Sequence, residues 1–326
     1  MSADGMSIQR VSEISAEIVG EVERSVVGKR EALQTMMAAF LSSGGHVLLD
    51  DYPGLAKTLI ANSFARALGL EFKRIQFTPD LLPADITGGY AFDGEQNRFA
   101  LRQGPIFANV LLADEINRAS PKTQSALLEA MQEGQVTLEG KTLPLPVPFI
   151  VIATQNPIEY EGTFPLPEAQ LDRFMIKLSI GYPGPEEEDE ILRRRTERRR
   201  DEVELRSRTD APTLLAMREA VERVFVDPDV RRYIVDLVSR SRSHSGVAVG
   251  ASPRGSIALL KLSRAWAAVQ GRDYVIPDDV KRFVRPSIAH RIVLDPSLWE
   301  SRRSEISIVD DIAREVSVPV FKAENE

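Results

Sequence analysis

Short apolar runs dominate the first half of the chain. Five of them contain four or five residues, are bounded by Pro, Gly, Asp or Asn, and lie at residues 46–49, 74–77, 110–113, 149–153 and 174–178. Continuous apolar runs that alternate with helical periodicity are typical of strands buried on both faces of a parallel sheet. The pattern predicts a doubly wound α/β domain with a parallel five-stranded sheet over residues 1–182, opened by a helical segment at residues 13–43.

Two segments interrupt this alternation. Residues 87–105 carry alternating apolar positions around the turn dipeptide Asp93-Gly94, and residues 135–147 carry a similar pattern around Glu139-Gly140. Such dipeptides between alternating stretches indicate β-hairpins inserted into the α/β frame. Taken alone, a hairpin of this kind is typical of surface decoration.

The chain changes character after Tyr182-Pro183-Gly184-Pro185. A strongly charged run comes first, and helical periodicity then recurs without strand signals at residues 213–224, 228–242, 254–270 and 277–289. In the charged run, acidic residues precede arginines at helical spacing, which indicates a solvated linker helix and not a nucleic-acid surface. We therefore predict a linker helix and an all-helical domain over residues 183–326.

Composition narrows the class of protein. Of 326 residues, 43% are apolar and 27% are charged, which is the balance of a soluble globular protein large enough for two domains. The net charge of -7 argues against a global electrostatic grip on nucleic acid or on an anionic membrane, and the absence of Cys excludes disulfides and thiolate metal sites. Without a secretory pattern or a long apolar stretch, the expected location is cytoplasmic.

A phosphate-binding loop is indicated between the first strand and the helix that follows it. The strand leads through Asp51-Tyr52-Pro53-Gly54-Leu55-Ala56-Lys57-Thr58 directly into a helix. In this context the loop amides surround phosphates, Lys57 reaches the β and γ oxygens of the nucleotide, and the Thr58 hydroxyl ligates Mg²⁺. The strict G-x-x-x-x-G-K-[ST] pattern is not met, because Asp51 and Ala56 replace its two glycines, and an ordinary turn remains the alternative.

Two further strands end in polar residues suited to ATP hydrolysis. Asp114, at the end of one run, can hold the Mg²⁺ shell, and Glu115 can polarise the attacking water. Asn156, after another run, can position that water. Parallel strands place ligand chemistry at their carboxyl ends, which favours a common site. Read singly, the acidic pair is equally typical of a solvated loop entrance, and an Asn before Pro of a turn.

Together these motifs resemble those of the MoxR family of AAA+ ATPases. The resemblance runs from about Val26 to the helix at 277–289. Its motifs are Asp-Tyr-Pro-Gly-Leu-Ala-Lys-Thr at 51–58, Leu-Leu-Ala-Asp-Glu-Ile-Asn-Arg-Ala at 111–119, Gln-Asn-Pro at 155–157, Glu-Ala-Gln-Leu-Asp-Arg-Phe at 168–174 and Ala-Ser-Pro-Arg-Gly at 251–255. The resemblance implies a P-loop AAA+ αβα sandwich followed by a helical lid.

The resemblance also assigns roles to single residues. The loop Tyr52-Pro53-Gly54-Leu55-Ala56 and the following Lys57 and Thr58 correspond to Walker A, and Asp114 and Glu115 correspond to Walker B. Asn156 corresponds to sensor 1, Arg173 to the arginine finger and Arg254 to sensor 2. Val27 and Gly28 match the segment that lines the adenine pocket. An arginine supplied in trans neutralises transition-state charge and couples hydrolysis to assembly. Arg118 is a second candidate for a trans contact, with a local ion pair or a helix-start position before Ser120-Pro121 as the alternatives.

The function implied is ATP hydrolysis with Mg²⁺ by a homo-oligomeric, hexameric ring that remodels or matures a client protein. In this family a von Willebrand factor A domain protein is a frequent partner, and the two hairpins usually face the central channel of the ring. No nucleic-acid partner is expected. Three alternatives stay open, namely a nucleic-acid motor of helicase type, a switch that binds ATP without turnover, and a motor subunit of a metal chelatase.

Overall fold

The computed structural model describes residues 5–94, 97–158, 162–301 and 303–319. The chain divides into two compact units. The α/β unit comprises Ile14–Phe40 and Gly44–Ala216, and the helical unit comprises Leu41–Ser43 and the chain from Met217 onward, together with the segment before Ile14. No helix in the described part of the chain is both long and apolar enough to cross a membrane.

The elements up to the end of the sheet alternate between helix and strand. In chain order they are α1 (Ile8–Glu23), α2 (Arg30–Leu41), β1 (Val47–Asp50), α3 (Lys57–Ala67), β2 (Phe72–Gln76), α4 (Pro83–Thr87), β3 (Gly88–Asp93), β4 (Arg98–Gln103), β5 (Val110–Asp114), α5 (Pro121–Glu133), β6 (Gln135–Leu138), β7 (Lys141–Pro144), β8 (Ile150–Gln155), α6 (Glu168–Leu171) and β9 (Ile176–Leu178). A helix α7 (Pro185–Arg198) follows them.

The central sheet is parallel and has the strand order β2-β5-β8-β1-β9. Every residue of β5 and the first five of β8 are buried, whereas the edge strand β2 buries only Ile75. Strands covered on both faces require continuous apolar runs, which is why the sequence pattern located them. The predicted five-stranded sheet is confirmed, with strand ends shifted by one or two residues.

Both predicted hairpins are present. β3 pairs with β4 and β6 with β7, each antiparallel. The second turn uses Glu139 and Gly140 with φ of 47° and 78°, the left-handed pair that a tight hairpin turn requires. The hairpins also meet each other, since the Lys141 ammonium lies 5.4 Å from the centre of the Tyr90 ring.

The helical unit begins within α8 (Ala211–Glu222). It continues with α9 (Pro228–Ser243), β10 (Val247–Val249), α10 (Pro253–Val269), α11 (Pro277–Ile288), β11 (Val293–Leu294) and α12 (Glu305–Glu315). The four predicted helices are confirmed. The prediction of an all-helical domain needs one correction, because β10 and β11 form a small antiparallel pair. Strands of three and two residues are too short to leave a periodic pattern in the sequence.

The linker region packs with the α/β unit. Glu21 in α1 is completely buried; it accepts hydrogen bonds from the backbone N–H of Arg206 and from the guanidinium of Arg208. Arg194 in α7 donates to the backbone oxygen of Glu23 at 2.7 Å. These contacts group residues 183–216 with the sheet, so the two compact units divide at 216/217. The sequence-based division at 182/183, where the residue pattern changes, stays a prediction of the domain boundary.

Candidate functional site

The carboxyl ends of three neighbouring strands lie side by side. β1 ends at Asp50, and its neighbour β8 has Gln155 directly opposite that residue. β5, on the other side of β8, ends at Asp114. The loop after β1 therefore lies on the same edge of the sheet as Asp114 and as Asn156, which follows β8. Parallel sheets bind ligands at the carboxyl ends of their strands, which is where these residues lie.

The predicted phosphate loop turns on two left-handed residues. Gly54 has φ of 81° and Ala56 has φ of 55°, and helix α3 begins immediately afterwards at Lys57. A glycine adopts this conformation without strain, whereas an alanine pays a steric cost because its Cβ approaches the carbonyl oxygen. Ala56 thus adopts the left-handed conformation that a glycine favours, and the unpaired N–H groups of the first turn of α3 can face an anion.

Lys57 points back across the strand ends. Its ammonium donates to the backbone oxygen of Asp51 and, at 3.2 Å, to that of Gln155. Burial lowers the pKa of Lys57 from its usual value, and the nearby carboxylates of Asp51 and Asp114 act in the opposite direction. A desolvated ammonium whose hydrogen bonds to the described residues go to carbonyl oxygens can exchange these partners for phosphate oxygens.

Asp51 replaces the first glycine of the strict motif and has a structural use. Its buried carboxylate accepts hydrogen bonds from the Ser179 hydroxyl at 2.7 Å, from the Gly181 N–H at 3.3 Å and from the Ile180 N–H. These three donors follow β9, the strand beside β1. Asp51 therefore joins the start of the phosphate loop to the segment that leaves the sheet.

Asp114 accepts hydrogen bonds on both carboxylate oxygens. Oδ1 accepts from the Thr154 hydroxyl at 2.6 Å, and Oδ2 accepts from Nε and an Nη of Arg74 at 3.0 and 2.7 Å. The Thr58 hydroxyl lies 3.5 Å from the same Oδ2. The two residues predicted to ligate Mg²⁺ are thus neighbours.

Both the backbone and the carboxylate of Glu115 are bound by neighbouring side chains. Its backbone adopts the left-handed conformation with φ of 56°, and its N–H donates to the Thr154 hydroxyl at 2.9 Å. Its Oε2 accepts from the Gln76 amide at 2.6 Å and from an Nη of Arg118 at 3.0 Å. For Arg118 the structure therefore shows the local ion pair, the alternative to a trans contact.

The surroundings of Asn156 and Thr58 suit a bound nucleotide and metal. Asn156 is 4% exposed; its Oδ1 accepts from the Ile158 N–H at 3.3 Å, while its buried Nδ2 has no hydrogen-bond partner in the described part of the chain. A buried amide donor left without a partner is costly and is expected to serve a ligand or an ordered water. The hydroxyl of Thr58 and the carboxylate of Asp114 are the hard oxygen donors that Mg²⁺ prefers.

Val27 and Gly28, predicted for the adenine pocket, adjoin α7. Gly28 has φ of 71°, and a Cβ at this position would lie 2.0 Å from Oε1 of Glu187. The other oxygen of Glu187 pairs with the ammonium of Lys29 at 3.4 Å. Only glycine combines the left-handed backbone with room for the carboxylate.

Two tyrosines connect this corner with the phosphate loop. The rings of Tyr52, in the loop, and Tyr182, after β9, are stacked with centres 6.0 Å apart. Lys29 donates to the backbone oxygen of Tyr182 at 2.9 Å. The structure therefore places the predicted adenine segment and the phosphate loop on one side of the α/β unit.

Arg173 lies apart from this cluster. Arg173 precedes β9, and the N–H of Met175 pairs with the oxygen of His46 at the start of β1. Because the strands are parallel, Arg173 is at the amino ends of the strands, whereas the phosphate loop follows their carboxyl ends. Its guanidinium makes no hydrogen bond or ion pair with any residue that the structure describes. Arg254 lies in the first turn of α10, in the helical unit.

Several site residues were not found from the sequence. They are Arg74, Gln76, Thr154, Ser179, Tyr182 and Glu187. The signal that could have found Arg74 and Gln76 is a pair of polar residues at alternating positions near the end of a strand otherwise expected to be apolar. That signal does not say which carboxylates the pair faces, since the neighbour of β2 is set by the topology.

The chain is similar to known proteins along most of its length. Residues 46–176 match the ATPase family associated with various cellular activities (AAA), and residues 239–312 match the AAA lid domain. Chaperone MoxR1 of Mycobacterium tuberculosis is 44% identical over 93% of this chain and 82% of its own length, and the uncharacterized protein YeaC of Bacillus subtilis is 48% identical over 94% and 95%. A solved structure from Cytophaga hutchinsonii, described as a candidate ATPase, is 38% identical in sequence to this chain. The match covers 96% of this chain and 97% of that protein's chain, and the two superpose with a TM-score of 0.89.

Proposed function

The chain belongs to the MoxR family of AAA+ ATPases, and from this membership we propose that it hydrolyses Mg²⁺-ATP in a ring and uses the cycle to remodel partner proteins. The observation that most supports the proposal is the convergence of Lys57, Thr58, Asp114 and Asn156 at the carboxyl ends of three adjacent strands. A hydroxyl, an ammonium, a carboxylate and an amide gathered there match the requirements of phosphoryl transfer to water.

Within this proposal each residue of the sheet edge has one task. The loop amides and Lys57 bind the phosphates, and Thr58 and Asp114 hold the metal, which when bound neutralises charge on the β and γ oxygens. The Glu115 carboxylate accepts the proton of the attacking water, and the free Nδ2 of Asn156 orients that water. The left-handed backbone conformation of Glu115 determines the direction in which its side chain leaves the main chain.

The position of Arg173 supports the proposed ring. Arg173 lies at the amino ends of the strands, whereas the phosphate loop of its own chain follows their carboxyl ends, and its guanidinium forms no hydrogen bond or ion pair with a described residue. A strand of four residues spans about 13 Å, which is longer than an arginine side chain. Arg173 is therefore proposed to serve the site of a neighbouring subunit, and Arg254 to act as sensor 2 from the helical unit.

The remodelling role rests on kinship. A relative with 44% identity is named a chaperone, and we extend a chaperone-like role to this chain. The two hairpins, which contact each other through Tyr90 and Lys141, are proposed to contact the client, and a von Willebrand factor A domain protein is proposed as a partner. ATP-driven changes at subunit interfaces would move these hairpins against a bound protein.

The test is the steady-state ATPase rate per subunit, measured against protein concentration. We expect the rate per subunit to rise with concentration. In both Glu115→Gln and Arg173→Ala the rate should fall by about a hundredfold or more, in line with the loss of an arginine finger. Small amounts of Arg173→Ala should also inhibit the wild type, because mixed rings contain incomplete sites. Arg232→Ala removes an arginine that is 75% exposed and should have no such effect.

The opposite results would separate the parts of the proposal. A rate per subunit that does not depend on concentration, together with an active Arg173→Ala variant, would contradict the shared site and the ring. Full activity of Glu115→Gln would contradict the assignment of the base. Wild-type protein that binds ATP but never hydrolyses it would favour a nucleotide switch.

A further inference from the structure

Arg74 on the edge strand β2 contacts the carboxylate proposed to hold the metal. Both Nε and an Nη donate to Oδ2 of Asp114, at 3.0 and 2.7 Å. The Asp114 side chain is 11% exposed, whereas that of Arg74 is 49% exposed. The guanidinium therefore has a path into solvent, while the carboxylate is fixed.

The contact uses the oxygen on which the metal site depends. Oδ1 of Asp114 is already bound to the Thr154 hydroxyl at 2.6 Å, so Oδ2 is the oxygen that remains beside the Thr58 hydroxyl. A guanidinium and a divalent cation cannot share this oxygen without strong repulsion, because like charges a few ångströms apart repel each other strongly in a partly buried site. Arg74 and the metal thus compete for one position.

The same guanidinium is linked to Glu115. An Nη of Arg74 also donates to the Gln76 side-chain oxygen at 2.8 Å, and the Gln76 amide donates to Oε2 of Glu115 at 2.6 Å. Arg74 and Gln76 are two residues apart on one strand, so both side chains project to the same face of the sheet. One chain of hydrogen bonds therefore joins Asp114, the proposed metal ligand, to Glu115, the proposed base.

We propose that Arg74 is a positioning residue that holds Asp114 until the metal arrives with the nucleotide. The Nη of Arg74 that binds Oδ2 also binds Gln76, so the link from Asp114 to Glu115 depends on the same guanidinium. This inference rests on the proposed function, because it requires a Mg²⁺-nucleotide site at this edge of the sheet.

The experiment measures binding, not turnover. The dissociation constant of a fluorescent ATP analogue is determined in excess Mg²⁺ and again in EDTA, and the EDTA value is divided by the Mg²⁺ value. Arg74→Met removes the charge and should raise this ratio about tenfold, because Asp114 becomes free to attract the metal while metal-free ATP loses a favourable charge. Arg74→Gln, which keeps a polar side chain for folding, should shift the ratio in the same direction.

Gln76→Leu is the matched control on the same strand. It breaks the link to Glu115 but leaves the contact between Arg74 and Asp114, so the ratio should stay within about twofold of wild type. An unchanged or lowered ratio in both Arg74 variants would overturn the inference, since Arg74 would then be a structural partner or a phosphate ligand. If wild-type protein binds no ATP analogue even with Mg²⁺, the proposed function itself fails.

Discussion

The phosphate loop and the β3–β4 hairpin belong to the same α/β unit but hold their side chains in different ways. In the loop, the carboxylate of Asp51 and the ammonium of Lys57 are bound by groups from neighbouring strands. In the hairpin, Phe92 and Phe99 are 56% and 69% exposed, and their rings contact each other with centres 5.6 Å apart. The loop is fixed by contacts with neighbouring segments of the sheet, whereas the ring contact described near the end of the hairpin is its own cross-strand pair.

The difference follows from what each region is proposed to do. Chemistry on a phosphate requires groups held to within about half an ångström, which only a rigid and buried support provides. A surface that contacts partner proteins gains from exposed aromatic side chains, because these bury much area at a low entropic cost. The comparison leads to three further predictions on stability, which run from buried charge to exposed ring.

Asp51→Ala should have the largest effect on the free energy of unfolding. It removes a buried carboxylate and leaves the N–H groups of Ile180 and Gly181 without their acceptor, which should cost about 3 kcal/mol. Urea unfolding measures the change. The neighbouring Asp50→Ala is the control, because Asp50 pairs with the partly exposed Lys177 and should cost under about 1 kcal/mol. Equal losses in the two variants would contradict the special role of Asp51.

Ala56→Gly should have a smaller effect and the opposite sign. Glycine relieves the left-handed strain at φ of 55°, so unfolding should become more difficult by about 1 kcal/mol. Ala16→Gly, at an exposed position in α1, should instead lower stability by about 1 kcal/mol, because glycine disfavours a helix interior. The same urea titration tests both variants. A destabilised Ala56→Gly variant would contradict the expectation that left-handed strain at this residue lowers the free energy of unfolding.

The sequence allowed the core of the site to be predicted, because its signals are local. Lys57 and Thr58 follow a strand and open a helix, and Asp114 and Asn156 each follow a buried run, so the sheet edge was predictable from pattern alone. The use of Asp51 was not, since its donors lie about 130 residues further along the chain. Contacts between distant segments depend on strand order, which local pattern does not determine.

The hairpin aromatics should contribute least to stability. Phe99→Ser removes one exposed ring from a cross-strand pair, which should cost about 0.5 kcal/mol and leave the basal ATPase rate unchanged. The control is a buried pair of similar geometry, Phe40 and Phe64, whose rings are 5.0 Å apart and completely buried. Phe64→Ser should cost more than about 3 kcal/mol, because it leaves a cavity and buries a hydroxyl. If Phe99→Ser were as costly as Phe64→Ser, the hairpin would be part of the structural core, and the proposal that its exposed rings are reserved for a partner protein would lose its physical basis.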